Sequence, residues 1–247
     1  MSEVLNTGAD ALARRVGEAL EAGADTARFA VGYLFLDGLT PLRAGLAATP
    51  CVDILIGNAV NRLTEEQVRE EAGTRERGGT VKGGEDVAAT LRDSHDRAAA
   101  ETAMNLRQTI DALPRTGENR ALLLTLAGMV AGGRLRVRLY THGRIHSKVA
   151  LVTYPPGRAS SKGLAIVGSS NLTMSGGAHP TELNVVLTDS ASLADLEAWY
   201  TRMWNVSQDF HRELFEELGG GWALSPDFSG DVTGDAIPPA DRARTGP

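Results

Sequence analysis

Apolar positions along the chain fall into short blocks that switch between the two-residue period of a strand and the 3.6-residue period of a helix. ARFAVGYLF over 27–35 predicts a strand, and LTPLRAGLAA over 39–48 predicts a short helix opened near Pro41. VDILIGN at 52–58 predicts a second, buried strand, after which Thr64 and Gln67 form a capping box for a helix over 64–72. Residues 74–85, TRERGGTVKGGE, have little to bury and predict a surface loop. From Asp86 to Leu113 the spacing is helical, with Val87, Leu91, Met104, Leu106 and Ile110 among its apolar positions, until Pro114 stops it. A further helix, ENRALLLTLAGMVAGG over 118–133, ends on two glycines that tolerate left-handed backbone.

The second half is rich in strand patterns, at 134–140, 146–154, 163–169 and 182–188. In the first of these Leu135, Val137 and Leu139 alternate with Arg134, Arg136 and Arg138, so one face packs and the other is wet. One long helix over 192–218, carrying Leu196, Trp199, Met203 and Trp204, is expected to close the fold. After Trp222 the composition is that of a linker, which predicts a single domain over 1–222 and a tail over 223–247. Strands alternating with helices predict an α/β protein with helices packed on a sheet.

Composition narrows the class. The chain has 247 residues, 42% hydrophobic and 23% charged, and no apolar run approaches the roughly 20 residues that span a membrane. Its first 20 residues lack the apolar core of a secretory signal, and Cys51 is the only cysteine, so a cytoplasmic protein without an intrachain disulfide or a cysteine-built zinc site is expected. A net charge of -6 means that any polyanion must meet a local basic patch. Arg134, Arg136, Arg138, Arg144 and Lys148 supply one within the acid-free stretch 134–148, although a solvated strand face would read the same. No HExxH, cysteine pair or tight carboxylate cluster suggests a metal, and no cofactor is expected. A Gly-rich phosphate loop followed by Lys and Ser or Thr is also missing, so an ATP-driven motor would belong to another chain or segment.

The segment from Gly143 to Leu187 carries candidate chemistry. In IHSKVALV, strand alternation puts His146 and Lys148 side by side on one face, a nucleophile beside a cation. AIVGSSNLT then places Ser169, Asn171 and free backbone amides at a strand end, where they can face a phosphate oxygen. Glu182 opens the next strand, placed to accept a hydrogen bond from a histidine ring nitrogen. Each has an ordinary explanation taken singly: a chance His-x-Lys, a turn, a solvated acid. Their joint occurrence in this order points to phosphate chemistry.

His146, Lys148, Gly168, Ser169 and Asn171 match the His-x-Lys and Gly-Ser-x-Asn signature of the phospholipase D superfamily, which the chain resembles over 134–188. Glu182 matches the acid that follows in the nuclease branch, and VGYLFLDGL and VDILIGN resemble the opening of phospholipase-D-like domains fused to bacterial helicases and restriction enzymes. The resemblance implies a mixed β-sheet flanked by helices on both faces. It further implies a metal-independent phosphodiesterase, a DNA endonuclease working through a phosphohistidine on His146, with Lys148, Ser169, Asn171 and Glu182 completing the catalytic set. Arg138, His142, Arg144, Gly168, Ser170 and Thr173 are the expected substrate contacts. Proteins of the family with one motif pair as homodimers sharing one active site. The expected partners are therefore a second copy, DNA or RNA, and a helicase or translocase of a restriction or phage-defence system, with no membrane.

One departure stands out. The family's Asp is replaced by Thr153, and YPPGRASSK between the motif halves looks like an enlarged hairpin. Because that Asp is mainly structural in the family, chemistry remains open, with an attenuated or purely DNA-binding and dimerising module as the alternative. Phospholipid hydrolysis is less favoured, since the chain lacks paired motifs and a membrane-binding segment. His142 shares the face of His146 only if the strand runs through Gly143, and it reads as a turn or substrate contact. His95, His179 and His211 lack suitable neighbours and read as structural or exposed.

Overall fold

The computed structural model describes residues 2–5, 9–57, 84–143, 145, 147–157, 162–169 and 183–224. Its strands are β1 (Ser2–Leu5), β2 (Thr26–Val31), β3 (Cys51–Gly57), β4 (Leu135–Tyr140), β5 (Lys148–Thr153), β6 (Gly163–Gly168), β7 (Asn184–Leu187) and β8 (Gln208–Asp209). They form one sheet in the order β1-β7-β6-β5-β2-β3-β4-β8. The centre, β2, β3 and β4, is parallel, whereas β5, β6, β7 and β1 follow antiparallel on one side and β8 on the other. The fold is thus a mixed sheet.

Helices lie on both faces. Alternation sends Phe29 and Val31 of β2, Ile54 and Ile56 of β3, and Val137 and Leu139 of β4 into one large core. Over it pack α1 (Ala9–Glu21), a 3₁₀ turn (Asp37–Leu42) with α2 (Arg43–Ala48), α3 (Gly84–Ala112), α4 (Gly117–Ala131) and α6 (His211–Gly220). In α1, Leu12, Val16, Ala19 and Leu20 recur at helical spacing and are buried. The opposite face carries Ala30, Leu55, Val149, Leu151 and Ala165, covered by α5 (Ser190–Asn205) through Leu193, Tyr200 and Trp204. Capping fixes where the helices start. Thr116 accepts the Asn119 amide at the head of α4, and Asp189 accepts the Ser192 amide at the head of α5.

Several boundaries differ from the sequence pattern. The predicted strand 27–35 stops at Val31, and the helix expected over 39–48 splits into the 3₁₀ turn around Pro41 and α2. Met104, one of the apolar positions of α3, is 60% exposed. The first 21 residues hold β1 and α1, which the sequence reading left unassigned even though α1 carries apolar residues at helical spacing. The single helix expected over 192–218 is two helices with β8 between them. There Asp209 pairs with Arg138, the Phe210 amide donates to the Val137 carbonyl, and the Phe210 ring is fully buried. Pairing on the sheet edge outweighs a helical pattern that contains no Gly or Pro to announce the break. The helix expected over 64–72, nearly all of the loop at 74–85 and the tail beyond Leu224 lie outside the described residues. Among the described residues, no helix is long and apolar enough to cross a membrane.

Candidate phosphodiester site at one end of the sheet

Topology gathers the motif. Because β5 runs antiparallel to β2, its first residue, Lys148, stands at the same end of the sheet as the last residues of β2, β3 and β4. Gly168 at the end of β6 and Asn184 at the start of β7 lie level with it, in the register Lys148, Gly168, Asn184 across three strands. His146, Asn171 and Glu182 fall outside the described residues, but each is two residues in sequence from a member of this end: Lys148, Ser169 and Asn184 respectively.

Two glycines carry the crossing that leads into Lys148. In the sheet β4 is separated from β5 by β3 and β2, so residues 141–147 must pass over the ends of those two strands. Ile145 packs directly on Gly57: a Cβ there would lie 2.8 Å from the Ile145 Cβ and 3.0 Å from its carbonyl oxygen. A Cβ on Gly32 would lie 3.3 Å from the same oxygen. The Ile145 side chain is buried among Ala30, Leu55 and Val149, which anchors the residue next to His146 on the α5 face. Alternation then returns Lys148 to the other face. There it lines a narrow crevice with Leu12, Val31, Ile166 and Asn184.

The end of β6 is equally constrained. A Cβ at Gly168 would overlap the Asn184 side chain and the Leu183 carbonyl and come within 2.8 Å of the Asn184 Cα. Beyond it the Ser169 amide donates to the Leu183 carbonyl at 3.2 Å, and the Leu183 amide donates to the Ser169 hydroxyl at 3.3 Å. Ser169 therefore clasps the residue that directly follows Glu182 in sequence. Asn184, only 1% exposed, was missed from sequence. The signal was present, since the two-residue period puts it on the face of Glu182.

The arginines expected to face substrate behave differently. Arg138 donates to the Trp204 carbonyl at 2.8 Å and lies 5.1 Å from the Trp204 ring centre. Arg136 makes a two-pronged ion pair with Asp53, at 2.7 and 2.8 Å, which holds its proton more tightly than usual. Both sit under or beside α5, on the opposite face from Lys148, so the structure does not bring Arg138 into the motif. Arg28 bridges Asp53 and Glu197 at 3.8 Å each in the same cluster. Burial, and then the Asp53 charge, push the Cys51 thiol pKa up. Arg144, Ser170 and Thr173 lie outside the described residues.

His142 is exposed just past the end of β4, its ring 5.9 Å from that of Tyr140 and 6.0 Å from that of His95 on α3. His95 thus has a partner that its sequence context did not reveal, because α3 and β4 meet only in the fold. Thr153 closes β5 at its far end, five residues from Lys148 and so about 17 Å away along the strand. There it pairs with Gly163, and its carbonyl accepts the Asp25 amide.

Residues 117–204, the stretch from α4 through α5, match the family described as cardiolipin synthase, PLD-like domain. That stretch includes the whole candidate motif, from His146 to Glu182. Among solved structures it is similar to Nuc from Salmonella typhimurium, a phospholipase D family member, at 14% identity with a TM-score of 0.46, covering 85% of this chain and 97% of that one. NucT from Helicobacter pylori is similar at 9% identity and a TM-score of 0.45, over 85% of this chain and 98% of that one. Polyphosphate kinase from Porphyromonas gingivalis shares 12% identity at a TM-score of 0.46, over 83% of this chain and 26% of its own. No curated protein matches by sequence.

Proposed function

We propose that the chain is a metal-independent phosphodiesterase, a DNA endonuclease in which His146 is the nucleophile. The observation that carries this is the convergence of Lys148, Gly168, Ser169 and Asn184 on one end of the sheet, with His146, Asn171 and Glu182 each two residues from that set. A diester resists attack because its oxygens repel nucleophiles and its alkoxide leaves poorly. Lys148, Ser169 and Asn171 answer the first difficulty by neutralising and orienting the non-bridging oxygens. Imidazole, with an unperturbed pKa of about 6.5, is uncharged at neutral pH, and Glu182 holds the tautomer whose free nitrogen attacks phosphorus. The bond to the leaving oxygen breaks as that oxygen takes a proton from a general acid. Water then attacks the phosphohistidine, gives its proton back to that acid, and releases His146 unchanged.

With one motif per chain, the general acid is His146 of a second copy across a two-fold axis. DNA is the proposed substrate, with RNA as the alternative, and the proposed setting is a cytoplasmic restriction or defence system with a helicase or translocase. These assignments rest on the sequence resemblance. The test is nicking of supercoiled plasmid in excess EDTA by the wild-type chain, His146→Ala and Lys148→Ala. Cleavage by the wild type alone is expected. Salt-sensitive DNA binding without cleavage by folded wild-type protein would make the chain a binding module instead.

A further inference from the structure

A cleft of about 570 Å³ opens at the same end of the sheet, between the segment that follows β2 and the C-terminal half of α3. Gly32 and Gly57 line it, and these are the two glycines against which Ile145 packs. The cleft and the residue beside His146 therefore share a wall. Its volume falls within the range of pockets that take small organic groups. Its other walls are of three kinds. Tyr33 and Phe35, ring centres 6.1 Å apart and tilted by 42°, offer aromatic surface, and Tyr33 is half exposed at the mouth. Asn105 and Gln108 present exposed amides able both to donate and to accept hydrogen bonds. Asp37 and Glu101 contribute carboxylates, and no Lys or Arg lines the cleft among the described residues.

The lining among the described residues suits a flat, uncharged heterocycle better than a phosphate. We propose that the cleft receives an unstacked nucleobase of the strand being cut, so that single-stranded nucleic acid is the substrate class. The inference deepens the phosphodiesterase reading and rests on it. A base held in a duplex has its faces stacked and its polar edge paired, so it cannot fill such a cleft without being turned out of the helix. An unpaired base can stack on Tyr33 while its edge meets the amides of Asn105 or Gln108, and because every base has a π-face the cleft would tolerate many sequences. The nucleotide whose base is seated there is at or beside the scissile phosphate, since Ile145 directly precedes His146 in the chain.

The test separates bases from phosphates. A fluorescein-labelled short oligothymidylate and an abasic tetrahydrofuran strand of the same length are titrated with His146→Ala protein in EDTA at one salt concentration. Both strands present the same phosphates. The base-bearing strand is expected to bind about tenfold or more tightly, as stacking of even one base would give. Ala112→Trp, which fills the cleft from the exposed end of α3, and Tyr33→Ala, a change at an exposed position, should each collapse that ratio towards one while leaving the abasic affinity and the melting temperature in place. Equal affinity for the two strands, persistence of the ratio in both variants, or no binding of either strand by folded protein overturns the proposal. Base-dependent binding by a wild-type chain that never cuts would sink the catalytic reading alone. EDTA-resistant, His146-dependent cleavage with no base dependence would sink the cleft assignment alone.

Discussion

Single atoms decide where Ile145, the residue before the candidate nucleophile in sequence, can lie. Gly57 and Gly32 have no special backbone angles to explain them; their use is the absence of a Cβ where the chain from β4 crosses two strand ends. Gly57→Ala should destabilise the fold by about 1–3 kcal/mol, as overpacking does, and should reduce cleavage further by displacing Ile145 and its neighbour. Urea unfolding measured alongside nicking at a temperature where the variant is fully folded checks both parts. On the other face, Asp53 is buried, with a side chain 4% exposed, and carries the charges of Arg136 and Arg28. Asp53→Ala should cost about 3 kcal/mol, towards the low end for a broken buried pair because half-exposed Arg136 can turn to water. The raised pKa of Cys51 leaves less thiolate at a given pH, so its alkylation by iodoacetamide in the folded protein should be slower than that of a free thiol. A rate equal to that of the unfolded chain would contradict this.

At the scale of elements, the strands around the candidate motif were legible from short apolar runs, alternating with arginine in LRVRLY and continuous in KVALVT and GLAIVG. LRVRLY, KVALVT and GLAIVG appear within a residue or two of where their patterns place them. What the pattern could not reveal is which face a polar residue occupies once a helix covers it. The arginines of β4 alternate with core residues as expected, yet their outer face is the one that α5 covers, where Trp204 and Asp53 engage them. The break between α5 and α6 was hidden for the same reason, since a two-residue edge strand owes its existence to β4 rather than to its own sequence. Phe210 pins that break. Its ring is wholly buried, and Phe210→Ala should cost about 3–5 kcal/mol in chemical denaturation. A loss under about 1 kcal/mol would mean that the break is not held by this packing.

For the whole molecule, the asymmetry of the layers is the useful feature. Among the described residues, most helices crowd the face that includes Lys148 and the cleft, and one helix, α5, covers the other. On the proposed reading, the end of the sheet beside Lys148 and Ser169 is where a phosphate and an adjoining base would be met together. The fold also separates Thr153 from Lys148 by the length of a strand.

The most direct measurement of the account is the stereochemistry at phosphorus. A chain with a phosphohistidine on His146 displaces the phosphate twice, so a substrate with one Rp phosphorothioate linkage, cut in ¹⁸O-water with EDTA present, should give product with configuration retained. Inversion would mean that water attacks the diester in one step, and it would contradict His146 as the nucleophile.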